Sequence, residues 1–114
     1  YTILRAAVSR AIVASGLFPA IGIYHHNRSN AFPLADDLME PYRPFVDDAV
    51  YDLTIQGNLD LTKETKSKLI MVLYCDTSFE KVMRPLSVGL SMTTSSLAKC
   101  YAKEIVKLNL PSIL

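Results

Sequence analysis

With 114 residues, half of them apolar, 20% charged and a formal net charge of +1, the chain is one domain's worth of polypeptide. This balance excludes intrinsic disorder, and it equally excludes a basic arm or an acidic tail. Cys75 and Cys100 are too few for a disulfide framework, and their apolar neighbours lead one to expect reduced thiols of a cytoplasmic protein. The longest apolar windows are broken by Arg5, Arg10 and Gly16, so no membrane partner is expected.

In chain order, Ile3, Ala7, Val8, Ala11, Val13 and Ala14 recur at helical spacing and predict a helix over Thr2–Ser15, ended by Gly16. Leu17–Pro33 is dense in Pro, Gly, Asn and Ser and reads as a long ordered loop. Leu34, Leu38, Tyr42, Phe45, Ala49 and Leu53 form one stripe of a second helix over Leu34–Ile55. Pro41 and Pro44 lack N–H groups and clash with the carbonyls four residues back, so a kink is expected between Glu40 and Phe45.

Thr62 is a fitting N-cap for a third helix, Thr65–Leu73. Tyr74–Arg84 shows neither period and reads as a short hairpin or ordered loop. Pro85 opens a last helix over Leu86–Leu108, striped by Leu86, Leu90, Leu97, Tyr101, Ile105 and Leu108. The expected class is all-α, a helical bundle with little or no strand.

Chemistry concentrates between Gly22 and Pro44, which hold both histidines and the acids Asp36, Asp37 and Glu40. On a helix Glu40 shares a face with both aspartates. With a histidine delivered from the preceding loop, this set suits Mg²⁺ or Mn²⁺ held by mixed oxygen and nitrogen ligands. The spacing equally fits a solvated acidic helix face favoured by the helix dipole. Glycine-rich phosphate loops, Cys-x-x-Cys pairs, His-Glu-x-x-His and adjacent His-Asp are all missing, and no serine has a nucleophile-elbow context.

The whole string says more than its spacing. Gly22-x-x-His25, followed fifteen residues later by the Glu40 of Asp-Leu-Met-Glu-Pro-Tyr-Arg-Pro, resembles the central motif of the CRISPR-associated spacer-acquisition integrases, in their type II form. Lys81-Val82-Met83-Arg84-Pro85-Leu86 and the run from Ser91 to Ala102 resemble the same family's C-terminal helix, so the resemblance spans nearly the entire chain.

The resemblance implies a metal-dependent DNA integrase and endonuclease. Such an enzyme inserts spacers into a CRISPR array by attack of a DNA 3′-hydroxyl on a phosphodiester. His25 and Glu40 would be catalytic metal ligands and Asp37 a further catalytic acid. His26 would be a loop histidine or a phosphate contact. Implied partners are prespacer and repeat DNA, a second copy in a homodimer, and a second small CRISPR-associated protein.

The family's third ligand is a glutamate upstream of Tyr1, and no acid precedes Asp36 here. The chain is therefore expected to be the C-terminal helical catalytic part of a two-domain protein, without its N-terminal β-rich domain and inactive alone. A non-catalytic helical module binding DNA or protein is the alternative. Arg28, Lys81 and Arg84 are the candidate DNA contacts, Arg28 being equally an ordinary solvated arginine. Lys99, Lys103 and Lys107 make a basic row on the last helix, read as a solvated face or a further contact, and Arg43 is expected to pair with a carboxylate.

Overall fold

A computed structural model describes residues 1–20, 33–58 and 60–112. Among the described residues, five helices carry the fold: α1 (Thr2–Ala14), α2 (Pro33–Met39), α3 (Arg43–Ile55), α4 (Lys63–Ile70) and α5 (Leu86–Tyr101). Two short 3₁₀ turns, Glu40–Tyr42 and Met71–Tyr74, join α2 to α3 and follow α4.

The core forms where α1, α2 and α5 meet. Leu4, Val8 and Ile12 line the inner face of α1, packing with Leu34, Ala35, Leu38 and Met39 of α2 and with Leu86, Leu90 and Leu97 of α5. The inner stripe of α1 is thus rotated from the expected one: Ile3 and Val13 face solvent, while Ala7 and Ala11 are only flanking contacts. The stripe of the second helical region is as expected, with Leu34, Leu38, Tyr42 and Leu53 buried and Phe45 and Ala49 packed against the core.

The prolines set the break at the expected place. Pro41 sits inside the 3₁₀ turn and Pro44 in the first turn of α3, where a missing N–H costs nothing because that position has no intrahelical acceptor. Farther on, Thr62 closes a capping box on α4: Thr65 N donates to Thr62 Oγ1 at 3.2 Å, and Thr62 N to Thr65 Oγ1 at 3.3 Å.

The all-α expectation is overturned by an antiparallel hairpin, β1 (Asp76–Phe79) with β2 (Val82–Pro85), in the register Asp76 with Pro85 and Phe79 with Val82. Its two-residue turn places Glu80 and Lys81 at φ +50° and +72°, as a type I′ turn demands. Asn-Gly is the usual pair for that geometry, so Glu-Lys carries no hairpin signal in the sequence. Thr77 and Phe79 point inward, Thr77 Oγ1 donating to the Arg84 carbonyl at 2.7 Å. The hairpin seats on α5 at Gly89, where a Cβ would lie 2.7 Å from the Phe79 ring.

The last helix stops at Tyr101, seven residues before its expected end at Leu108. Lys103 turns left-handed at φ +62°, while Lys103 N donates to the Cys100 carbonyl and Glu104 N to the Lys99 carbonyl. This pair of bonds is a Schellman stop, formed on lysine where α1 and α3 use Gly16 (φ +80°) and Gly57 (φ +84°). It dissolves the lysine row, since only Lys99 stays on the helix. The chain then runs back to β1, where Ser112 N donates to the Ser78 carbonyl at 2.8 Å.

Candidate active site

The expected loop ligands His25 and His26, and the candidate DNA contact Arg28, lie outside the described residues. Among the described residues on either side, Leu34 N donates to the Pro19 carbonyl at 2.9 Å, at the start of α2.

The three acids of this region divide by role. Asp36 turns to α1 and pairs with Arg5, Nε to Oδ1 at 3.0 Å and Nη2 to Oδ2 at 3.4 Å, which ties α2 to α1. Asp37 is half-buried. Glu40 opens the 3₁₀ turn with its side chain 51% exposed. Residues three apart are neighbours in both α and 3₁₀ geometry, so Asp37 and Glu40 present hard oxygen donors on one edge. Such donors suit Mg²⁺ or Mn²⁺. Among the described residues no group of three His, Cys, Asp or Glu comes together.

Around Glu40 lies a charged cluster. Arg43 Nε stands 3.0 Å from Glu40 Oε1, the carboxylate pairing expected of this arginine. The Arg43 guanidinium also stacks 4.7 Å above the Tyr1 ring, and the Tyr1 hydroxyl donates to Asp47 Oδ1. That bond to a carboxylate pushes the Tyr1 phenol up.

The inner face of the same turn is apolar and hydroxyl-rich. Tyr42 is fully buried, and its hydroxyl lies 2.5 Å from Thr93 Oγ1 on α5. Burial pushes the Tyr42 phenol up to about 12, so it is a neutral donor. Nothing in the spacing of acids pointed to this link. The signal was Ser91-Met92-Thr93-Thr94-Ser95-Ser96, a hydroxyl run in a helix interior, of which Thr93, Thr94 and Ser96 are buried.

Lys81 occupies the hairpin turn, and Arg84 the exposed strand β2, with its Nη1 donating to the Met83 carbonyl at 2.7 Å. Gly89 and Thr93 are i,i+4 neighbours on α5, so the hairpin and the Glu40 turn dock one helical turn apart on one face. Cys75 is a free, half-buried thiol raised by burial and by Asp76. None of the helices, among the described residues, is long and apolar enough to cross a membrane.

The described site is a helical core that displays two carboxylates, and comparison with known proteins gives the family. Residues 1–85 match the model of the CRISPR associated protein Cas1 family, and the chain belongs to that family. It is 39% identical over 117 residues to the CRISPR-associated endonuclease Cas1 of Neisseria meningitidis serogroup C (strain 8013), covering 100% of this chain and 38% of the relative. To the CRISPR-associated endonuclease Cas1 1 of Francisella tularensis subsp. novicida (strain U112) it is 31% identical over 114 residues, which is 100% of this chain and 30% of that one. The chain thus spans between 30% and 38% of the length of these relatives. In structure it is similar to a casposase bound to integration product, with TM-score 0.78 and 24% identity over 93% of this chain and 36% of that one, a likeness of fold.

Proposed function

We propose that this chain supplies part of the catalytic centre of a spacer-integrating DNA endonuclease. The observation that supports this most is Glu40, an exposed carboxylate three residues from Asp37, on a turn held from within by Tyr42, in a chain of the Cas1 family.

In the reaction, the 3′-oxygen of an incoming duplex attacks phosphorus in a repeat phosphodiester. One P–O bond forms as another breaks, and the proton lost by the attacking hydroxyl is balanced by the one gained by the departing 3′-oxygen. The number of phosphodiesters is unchanged, so no high-energy cofactor is consumed. Mg²⁺ or Mn²⁺, when bound, would supply polarisation of the scissile phosphate.

In this reading His25 and Glu40 hold that cation, His25 as a neutral imidazole and Glu40 through its carboxylate. Asp37 orients solvent beside them or ligates directly. Arg43 shields Glu40 from Asp37 by pairing with it. Arg28, Lys81 and Arg84 contact DNA phosphates, and their charges weaken DNA affinity as salt rises. The working assembly is a homodimer joined by a second small CRISPR-associated protein on prespacer and repeat DNA.

The test is strand transfer of a labelled duplex into repeat-bearing plasmid by the full gene product in Mn²⁺, together with cation-dependent thermal stabilisation. Loss of both in His25→Ala and in Glu40→Ala is expected. Full joining by Glu40→Ala would remove Glu40 from the reaction.

A further inference from the structure

Behind the Glu40 edge lies a closed set of hydroxyl hydrogen bonds that the reaction above does not use. Thr93 Oγ1 donates to the Asn109 carbonyl at 2.7 Å. A threonine hydroxyl has one proton. With that proton committed, Tyr42 must be the donor in its 2.5 Å bond to Thr93. The direction is thus set along Tyr42, Thr93 and the Asn109 carbonyl. The other side of Asn109 is held as well: its N–H donates to Ser96 Oγ at 2.9 Å, and Ser96 Oγ donates to the Thr93 carbonyl at 2.7 Å. The segment after α5 is therefore fastened to the same turn of α5 that receives Tyr42.

Tyr42 and Glu40 belong to one three-residue turn, separated only by Pro41, whose ring fixes φ. With that torsion locked, less of a displacement of the Tyr42 ring can be absorbed between the two residues, and more of it passes to Glu40. Ring burial alone would be met by phenylalanine; the hydroxyl adds a directional constraint on the depth and rotation of the turn.

We propose that Tyr42 and Thr93 are positioning residues for Glu40, and that the segment at Asn109 belongs to the support of the candidate cation site. The inference rests on the reading of Glu40 as a ligand. It predicts that loss of one buried hydroxyl alters cation binding at an edge that neither hydroxyl touches.

The experiment uses the full gene product with Tyr42→Phe, Thr93→Val, Thr93→Ser and Glu40→Gln. Mn²⁺ binding is followed without DNA, by the electron paramagnetic resonance signal of the free ion, and strand joining is measured separately, both well below the unfolding temperature. Tyr42→Phe and Thr93→Val are expected to weaken Mn²⁺ binding about tenfold, the size typical of lost outer-shell support, and to lower kcat with KM for DNA unchanged. Thr93→Ser keeps the hydroxyl and should keep both. The double variant Tyr42→Phe/Thr93→Val should be no worse than either single one, because both cut the same link. Should Tyr42→Phe fail to fold, the Thr93 pair decides the question. Wild-type Mn²⁺ binding in the hydroxyl-deleted variants, with Glu40→Gln defective, overturns the positioning role alone. Wild-type binding and joining in Glu40→Gln instead overturns the ligand reading on which it stands.

Discussion

The turn Glu40–Tyr42 has two sides built on different physics. Outward, Glu40, Arg43, Tyr1 and Asp47 are joined by ionic and cation–π contacts in reach of water. Inward, Tyr42 is sealed into the core and joined to α5 by neutral hydroxyls. Water screens the outer contacts, so exchange of partners there costs little. The inner contacts have no solvent alternative, and their loss is felt in full. The lesson is a division of labour within three residues: the inner side holds the backbone in place, which leaves the outer carboxylate at liberty to change partners.

The most severe way to break the contrast is Tyr42→Ala. Removing a fully buried aromatic should cost about 3–5 kcal/mol in denaturant unfolding. Next is alkaline pH. The Tyr42 phenol is raised by burial to about 12 in the folded chain, against about 10 when unfolded. Its contribution is complete below pH 10 and is lost as pH rises toward 12, because the unfolded chain releases its proton first. About 2–3 kcal/mol should disappear over that window in a pH titration of stability, and Tyr42→Phe should remove this slope.

Smaller effects sharpen the comparison. Gly89→Ala pushes a methyl into the Phe79 ring, which is buried and has no room to yield, and should cost about 1–3 kcal/mol. Lys103→Gly relieves a left-handed lysine and should stabilise by about 1 kcal/mol, read as a raised unfolding temperature. Smallest is Glu40→Ala, expected within about 1 kcal/mol of the parent in the same denaturant assay. A loss from Glu40→Ala comparable to that from Tyr42→Ala would erase the distinction between the two sides.

Much of the fold was legible where a local rule was strong. Two prolines three apart dictated the break after Met39, Thr62 announced α4, and the Leu34–Leu53 stripe was the true inner face. Reading failed where the backbone took positive φ without glycine. Without Asn-Gly at Glu80 and Lys81, Tyr74–Arg84 stayed open between a short hairpin and an ordered loop, and Lys103 ended α5 although Ile105 and Leu108 continued its apolar period. Tertiary contacts explain both: Phe79 against Gly89 secures the hairpin, and Asn109 bound to Thr93 and Ser96 draws the chain off the helix. In the candidate site, the motif singled out Glu40 and Asp37, and the Arg43 pairing followed from proximity in sequence. Tyr1 and Thr93 reach that region only through folding, from 39 and 53 positions away from Glu40, beyond the range of any local pattern.

The bond between Leu34 and Pro19 forms a neck that holds two backbone points, fifteen positions apart in sequence, against each other at the start of α2. Closing a connection of twice the length across the same neck would cost only about 0.6 kcal/mol more. Additions or deletions between these two points are expected to be nearly neutral for the packed helices. Selection could therefore alter the length of chain across the neck independently of the core, the neck acting as the joint between a part that must stay constant and a part that is at liberty to diverge.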